Sequence, residues 1–215
     1  MRKSNSFSEI FPRNAKNVPE LRIAAKNWVG QNKDFPVKDF EQLVTAFIQE
    51  PSALKKCMAG ILLGYMPEQR SGLNPFLYEK WLECTVGWGE IDAICYGQFT
   101  AEEMLKNYKN WERLIKNLSK SDNINKRRAS IVLLTKPVKQ SQDKRLSELA
   151  FSIIDRLKNE RDILITKAIS WLLRNLIQLY REEVEEYLNS NRDVLPKIAL
   201  RETLNKLRSG RKSGL

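Results

Sequence analysis

The stretch DILITKAISWLLRNLIQL, residues 162–179, carries apolar residues at the i, i+3, i+4 spacing of a helix face, and it sets the reading of the whole chain. The same spacing occurs before it in PELRIAAKNWVGQ, FEQLVTAFIQ, LKKCMAGILLGYM, NPFLYEKWLEC, AEEMLKNYKNWERLIKNL and LSELAFSIIDRLKN, and after it in REEVEEYLNS. Start signals agree with these segments. Pro19, Pro36 and Pro75 fall at or near first turns, and Ser52 and Thr100 are N-cap candidates. Thr100 to Glu103 has the spacing of a capping box. No strand alternation or Asn-Gly hairpin signal competes.

A small residue early in every second helix brings these segments into one register: Ala59, Ala93, Ala129, Ala168 and Ala199, separated by 34, 36, 39 and 31 residues. Helix pairs at such a period read as a HEAT-like α-solenoid, because one pair cannot bury its apolar face alone and stacking the pairs makes a continuous core. The expected architecture is all-α: a single curved domain of HEAT-like helix pairs over residues 1–207 with a basic concave groove, followed by a basic disordered tail at 208–215.

Charge narrows the partners. Lys and Arg outnumber Asp and Glu by 37 to 26, a net charge of +11, which favours a polyanion. The chain has no histidine and three cysteines. Ser-His-Asp and Cys-His nucleophiles are therefore excluded, as are histidine-containing or four-thiolate zinc sites. Cys57, Cys84 and Cys95 form no C-x-x-C pair and read as buried, reduced thiols of an intracellular, cytoplasmic protein. No Walker-type or dinucleotide-binding loop occurs, no stretch is apolar enough for a membrane span, and the N-terminus lacks the apolar core of a secretory signal.

In a solenoid, the second helices of successive pairs line one concave surface. They bring Trp88 and Asp92 (four apart, hence on one face), then Lys126, Arg127 and Arg128, then Lys167, Trp171 and Arg174, then Lys197 and Arg201. Taken singly, each tryptophan reads more readily as core and each arginine as a solvated or paired cation. Two features resist that reading. Trp88 lies between Gly87 and Gly89, and Asp92 is an acid on a surface otherwise suited to phosphates. A carboxylate has a use there if an N-glycosidic bond is cleaved, since it stabilises an oxocarbenium-like sugar or orients a water at C1′. An indole face helps by cation–π attraction.

W-x-x-x-D at 88–92, R-R-A at 127–129, K-A-I-x-W-x-L-R at 167–174 and L-x-x-x-A-L-R-E at 195–202 together resemble the AlkD-like DNA alkylation-repair family over roughly residues 11–207. Phe11-Pro12 and Pro19-Glu20-Leu21-Arg22 are similar to its entry segment. The resemblance implies a monofunctional DNA glycosylase of base excision repair, a monomer without metal or organic cofactor. Its partner would be duplex DNA containing N3- or N7-alkylated purines. It makes Asp92, Trp88 and Trp171 the catalytic residues, with Asp92 close to the deoxyribose and both indoles at the sugar–phosphate. Arg128 and Arg174 match its phosphate-binding arginines, with Arg127, Lys167 and Arg201 as further DNA contacts. The sequence departs from the family where a preceding helix supplies an aromatic residue: Ser6 stands at that place, with Phe7 beside it, and Ala15 replaces a usual glycine. A non-catalytic HEAT-like protein binding branched or damaged DNA, or a protein partner, is the alternative.

Overall fold

The computed structural model describes residues 10–96 and 99–213. Ser6 and Phe7, the residues in question at the family's N-terminal aromatic, lie outside these. Among the described residues the protein is all-helical, with no strand. The chain groups into two compact units, residues 1–98 and 99–215.

The first unit contains α1 (Val18–Gln31), α2 (Val37–Gln49), α3 (Ala53–Tyr65), the short α4 (Pro67–Ser71) and α5 (Leu77–Trp81), and α6 (Gly87–Cys95). Asn17 starts α1: its side chain accepts from Glu20 N, while the Glu20 carboxylate accepts from Lys16 N and from Asn17 Nδ2. This closes orphan donors at the first turn. Leu21, Ala25 and Trp28 then turn inward from α1. Pro36 precedes α2 as its cap residue, and Ser52 precedes α3 without a side-chain capping bond. Helix α3 is the axis of this unit. Met58, Ala59, Gly60, Ile61, Leu62 and Leu63 are consecutive and all buried, so it has no solvent side in that turn. It packs against α1, α2 and α6.

The second unit contains α7 (Ala101–Lys106), α8 (Tyr108–Ser119), α9 (Ile124–Val132), α10 (Lys144–Leu157), α11 (Ile163–Leu176), α12 (Arg181–Ser190) and α13 (Lys197–Ser209). The capping box expected at Thr100 and Glu103 is formed. Asp143 caps α10 and Asp162 caps α11, each accepting from a first-turn N–H. Helices α9, α11 and α13 pack in succession, and α10 packs against α8, α9 and α11.

The period read from the alanines reappears in the bonds between helices. In the first unit Lys56 meets Glu90, Gln69 donates to Lys33 O and Trp81 Nε1 donates to Thr45 Oγ1, at separations of 34 and 36 residues. In the second, Arg127 meets Glu160, Ser170 meets Glu202 and Asn175 donates to Thr135 O, at separations from 32 to 40. A chain that stacks similar helix pairs brings positions one period apart into contact. Four of the five aligned alanines (59, 129, 168 and 199) are fully buried. The last helix runs on to Ser209 and ends at Gly210, whose φ of 73° supplies the left-handed turn that a helix C-terminus commonly needs.

Candidate functional site

Trp88 and Asp92 both belong to α6 in the first unit, and the local sequence explains how they are presented. Gly87 opens the helix at φ +70°, a conformation costly for any residue with a Cβ. The chain therefore enters α6 sharply and leaves Val86 76% and Trp88 63% exposed. An indole that exposed contributes little to a core, which removes the core reading of Trp88. The start of α6 is held instead by Glu90. One of its oxygens, Oε2, accepts from Val86 N at 2.8 Å and from Lys56 Nζ of α3 at 2.8 Å. Lys56 is only 4% exposed, so this ion pair is largely desolvated and each charge depends on the other.

A second contact fixes the depth of α6. A Cβ on Gly60 would lie 1.8 Å from the carbonyl oxygen of Ala93, so only glycine lets α3 and α6 approach this closely. The carboxylate-bearing turn is thereby pressed against α3. Asp92 is half-buried and lines a cleft of roughly 530 Å³ with Arg22 of α1, with Cys57, Gly60, Gly64 and Tyr65 of α3, and with Tyr96. Of the three cysteines expected to be buried only Cys95 is; Cys57 and Cys84 are half-buried, and all are free thiols. Partial burial and the nearby Glu90 push the Cys57 thiol above its usual pKa, keeping it protonated and unreactive.

The second unit holds the other expected residues. On α11, Lys167, Trp171 and Arg174 follow one another at one-turn spacing; Lys167 is exposed, and Trp171 and Arg174 are half-buried. Arg174 Nε donates to Ser170 Oγ at 3.2 Å and lies 3.7 Å from Glu202 Oε2. Burial lowers the pKa of Arg174, and Glu202 works against that shift. Arg201 is exposed on α13. The two arginines of α9 are drawn into the fold. Arg127 forms a two-pronged pair with Glu160, at 2.8 and 3.1 Å, and donates to Ser121 O and Asp122 O. Arg128, 5% exposed, donates to Leu164 O at 2.6 Å.

Several residues at these sites went unremarked in the sequence. Tyr96 continues the four-residue spacing from Trp88 and Asp92, and that periodicity was available. Lys56 and Glu90 are 34 residues apart, the same separation as Ala59 and Ala93, so the spacing of the alanines was the available signal. Glu202 sits in the quoted A-L-R-E block beside Arg201. Arg22 lies in the quoted entry segment, though without a role there, and Tyr65 had no such signal, since only the packing of α1 and α3 against α6 brings them to Asp92. Among the described residues no three His, Cys, Asp or Glu side chains cluster in a way that could hold a metal ion, and no helix is long and apolar enough to cross a membrane.

The sequence profile of the family described as DNA alkylation repair enzyme matches residues 4–207. The chain belongs to that family. The fold is similar to that of a solved structure described as "Predicted DNA alkylation repair enzyme from Enterococcus faecalis". That likeness covers 90% of this chain and 87% of the other at 19% sequence identity, with a TM-score of 0.73. No protein of curated function matches the chain. Within the DNA alkylation repair family, the described geometry gives this member an acid in a cleft on α6 and a cationic, tryptophan-bearing face on α11.

Proposed function

We propose that this member of the DNA alkylation repair family is a glycosylase that hydrolyses the N-glycosidic bond of N3- or N7-alkylated purines in duplex DNA. The observation that carries the reading is the exposed Trp88 one turn before Asp92, whose carboxylate lines an open cleft. Neither placement serves the core, and together they suit a developing positive charge.

An N3- or N7-alkylated purine is already cationic and departs as a neutral base. When its bond to C1′ breaks, the electron pair leaves with the base and the sugar acquires oxocarbenium character. The Asp92 carboxylate stabilises that charge and orients a water, which adds to C1′ and releases a proton. The indole of Trp88 faces the same charge by cation–π attraction. Trp171 and the cations Arg174, Lys167 and Arg201 of the second unit hold the sugar–phosphate backbone without reading sequence. Arg127 and Arg128 of α9 are further contacts to that backbone in this reading, with Glu160 and Leu164 O already engaging them within the fold. The helix pairs within each unit serve as HEAT-like repeats, and the chemistry needs neither metal nor organic cofactor.

The test is base release from methylated duplex DNA. The reading expects free 3-methyladenine or 7-methylguanine and an abasic strand. Binding to that duplex without any released base would overturn the glycosylase assignment and leave a non-catalytic DNA-binding repeat protein.

A further inference from the structure

The carboxylate of Glu202 does more than accompany Arg174. It is 7% exposed, and three groups converge on it: Ser170 Oγ donates to Oε2, Arg174 Nε lies 3.7 Å from Oε2, and Lys212 Nζ lies 3.3 Å from Oε1. Lys212 comes from beyond α13, in the segment whose sequence reads as a loose basic tail. The chain there turns back at Gly210 rather than trailing away. Lys206 Nζ donates to Gly210 O at 2.6 Å, Arg211 N to Ser209 Oγ at 3.3 Å, and Asn205 Nδ2 to Lys212 O at 3.3 Å. These bonds tie the segment to the end of α13 and direct one ammonium to a buried carboxylate.

Charge does not balance at this point. Two cations share one carboxylate, leaving one positive charge in excess, and burial already disfavours the charge on Arg174. The accessible parts are cationic: the Lys212 side chain is 54% exposed, against 18% for Arg174 and 10% for Glu202. An ammonium has three donors and a guanidinium five. The contacts to Glu202 and Ser170 engage Lys212 through one ammonium and Arg174 through Nε. What fits is a singly charged anion with two acceptor oxygens, which is the chemistry of a phosphodiester.

We propose that Lys212 joins Arg174 in binding one backbone phosphate of duplex DNA, with Glu202 as the shared counter-ion that positions both cations. This inference rests on the reading of Arg174 as a phosphate contact. It makes the segment after α13 part of the binding surface, and it makes Glu202 a positioning residue that never touches DNA.

The experiment is duplex binding by the full chain, measured between low and physiological salt. It compares wild type with Lys212→Ala, Arg174→Ala and Arg192→Ala, the last removing an exposed charge from another loop. Each phosphate contact contributes about 0.9 to the slope of log K against log salt. Lys212→Ala is expected to lower the slope by about 0.9 and weaken binding most at low salt, whereas Arg192→Ala keeps the wild-type slope. If Lys212→Ala behaves as Arg192→Ala while Arg174→Ala lowers the slope, the role of Lys212 is refuted and the reading of Arg174 stands. If wild type shows no salt-dependent duplex binding, both fall.

Discussion

Helix α6 of the first unit and helix α11 of the second each carry a tryptophan followed one turn later by a charged residue, yet the two helices are secured differently. Helix α11 is 14 residues long, is capped by the Asp162 side chain and buries Ile165, Ala168, Ile169, Leu172, Leu173 and Leu176. Its position comes from a wide apolar face. Helix α6 is nine residues long, has no side-chain bond from its cap residue and buries Ile91, Ile94 and Cys95. Its position depends on the Lys56–Glu90 pair and the close approach at Gly60. The acid-bearing element is therefore held by few, specific contacts, and the cation-bearing one by many interchangeable ones. The lesson is that single substitutions remote from Asp92 can displace it, whereas the Arg174 face tolerates apolar change around it.

Breaking the ion pair is the severest test of that contrast. Lys56→Ala leaves Glu90 in a largely desolvated position without its partner and is expected to cost about 3 kcal/mol or more in denaturant unfolding. The double variant Lys56→Met/Glu90→Met is expected to recover much of that loss, since neither charge then remains uncompensated; it also removes the bond to Val86 N, so base release stays low. A Lys56→Ala variant as stable as wild type would show that α6 is held by something else. Next in size is Gly60→Ala. The new methyl group meets the Ala93 backbone, and an expected loss of about 1–3 kcal/mol should accompany slower base release, because α6 must move outward. An Ala168→Gly change on α11 introduces no such clash and serves as the comparison. The smallest effect on stability belongs to Trp88→Ala. The indole is mostly exposed, so the unfolding free energy should stay within about 0.5 kcal/mol of wild type, with little change in midpoint. Base release is nevertheless expected to fall roughly tenfold with the loss of the cation–π contact. Trp171→Ala, from a half-buried site, should lower the midpoint more than Trp88→Ala does.

These contrasts also mark what could be read from the sequence. The helices were legible because apolar spacing, prolines and the Thr100–Glu103 box act locally. The period was legible because Ala59, Ala129, Ala168 and Ala199 are small where helices pack. Asp92 and Trp88 stood out because their residue types conflict with their surroundings, an acid among cations and an indole between glycines. The end of α13 was not legible: the basic segment after residue 207 looks soluble and unstructured, whereas the helix continues to Ser209 and Lys212 returns to Glu202. Nor was the engagement of Arg127 by Glu160: their separation of 33 residues fits the period, but nothing in the local sequence distinguishes a paired arginine from a solvated one. The cleft beside Asp92 escaped for a similar reason, since Arg22, Tyr65 and Asp92 meet only once α1 and α6 lie against α3.

In the proposed reaction the Asp92 carboxylate meets a developing positive charge on a deoxyribose. The most direct measurement is the single-turnover rate of alkylpurine release from methylated duplex by wild type and by Asp92→Asn, with duplex affinity measured alongside. Asparagine keeps the shape and removes the charge. The rate is expected to fall by about 10²–10³-fold with affinity unchanged. An Asp92→Asn protein that released the base at the wild-type rate would contradict this role of Asp92.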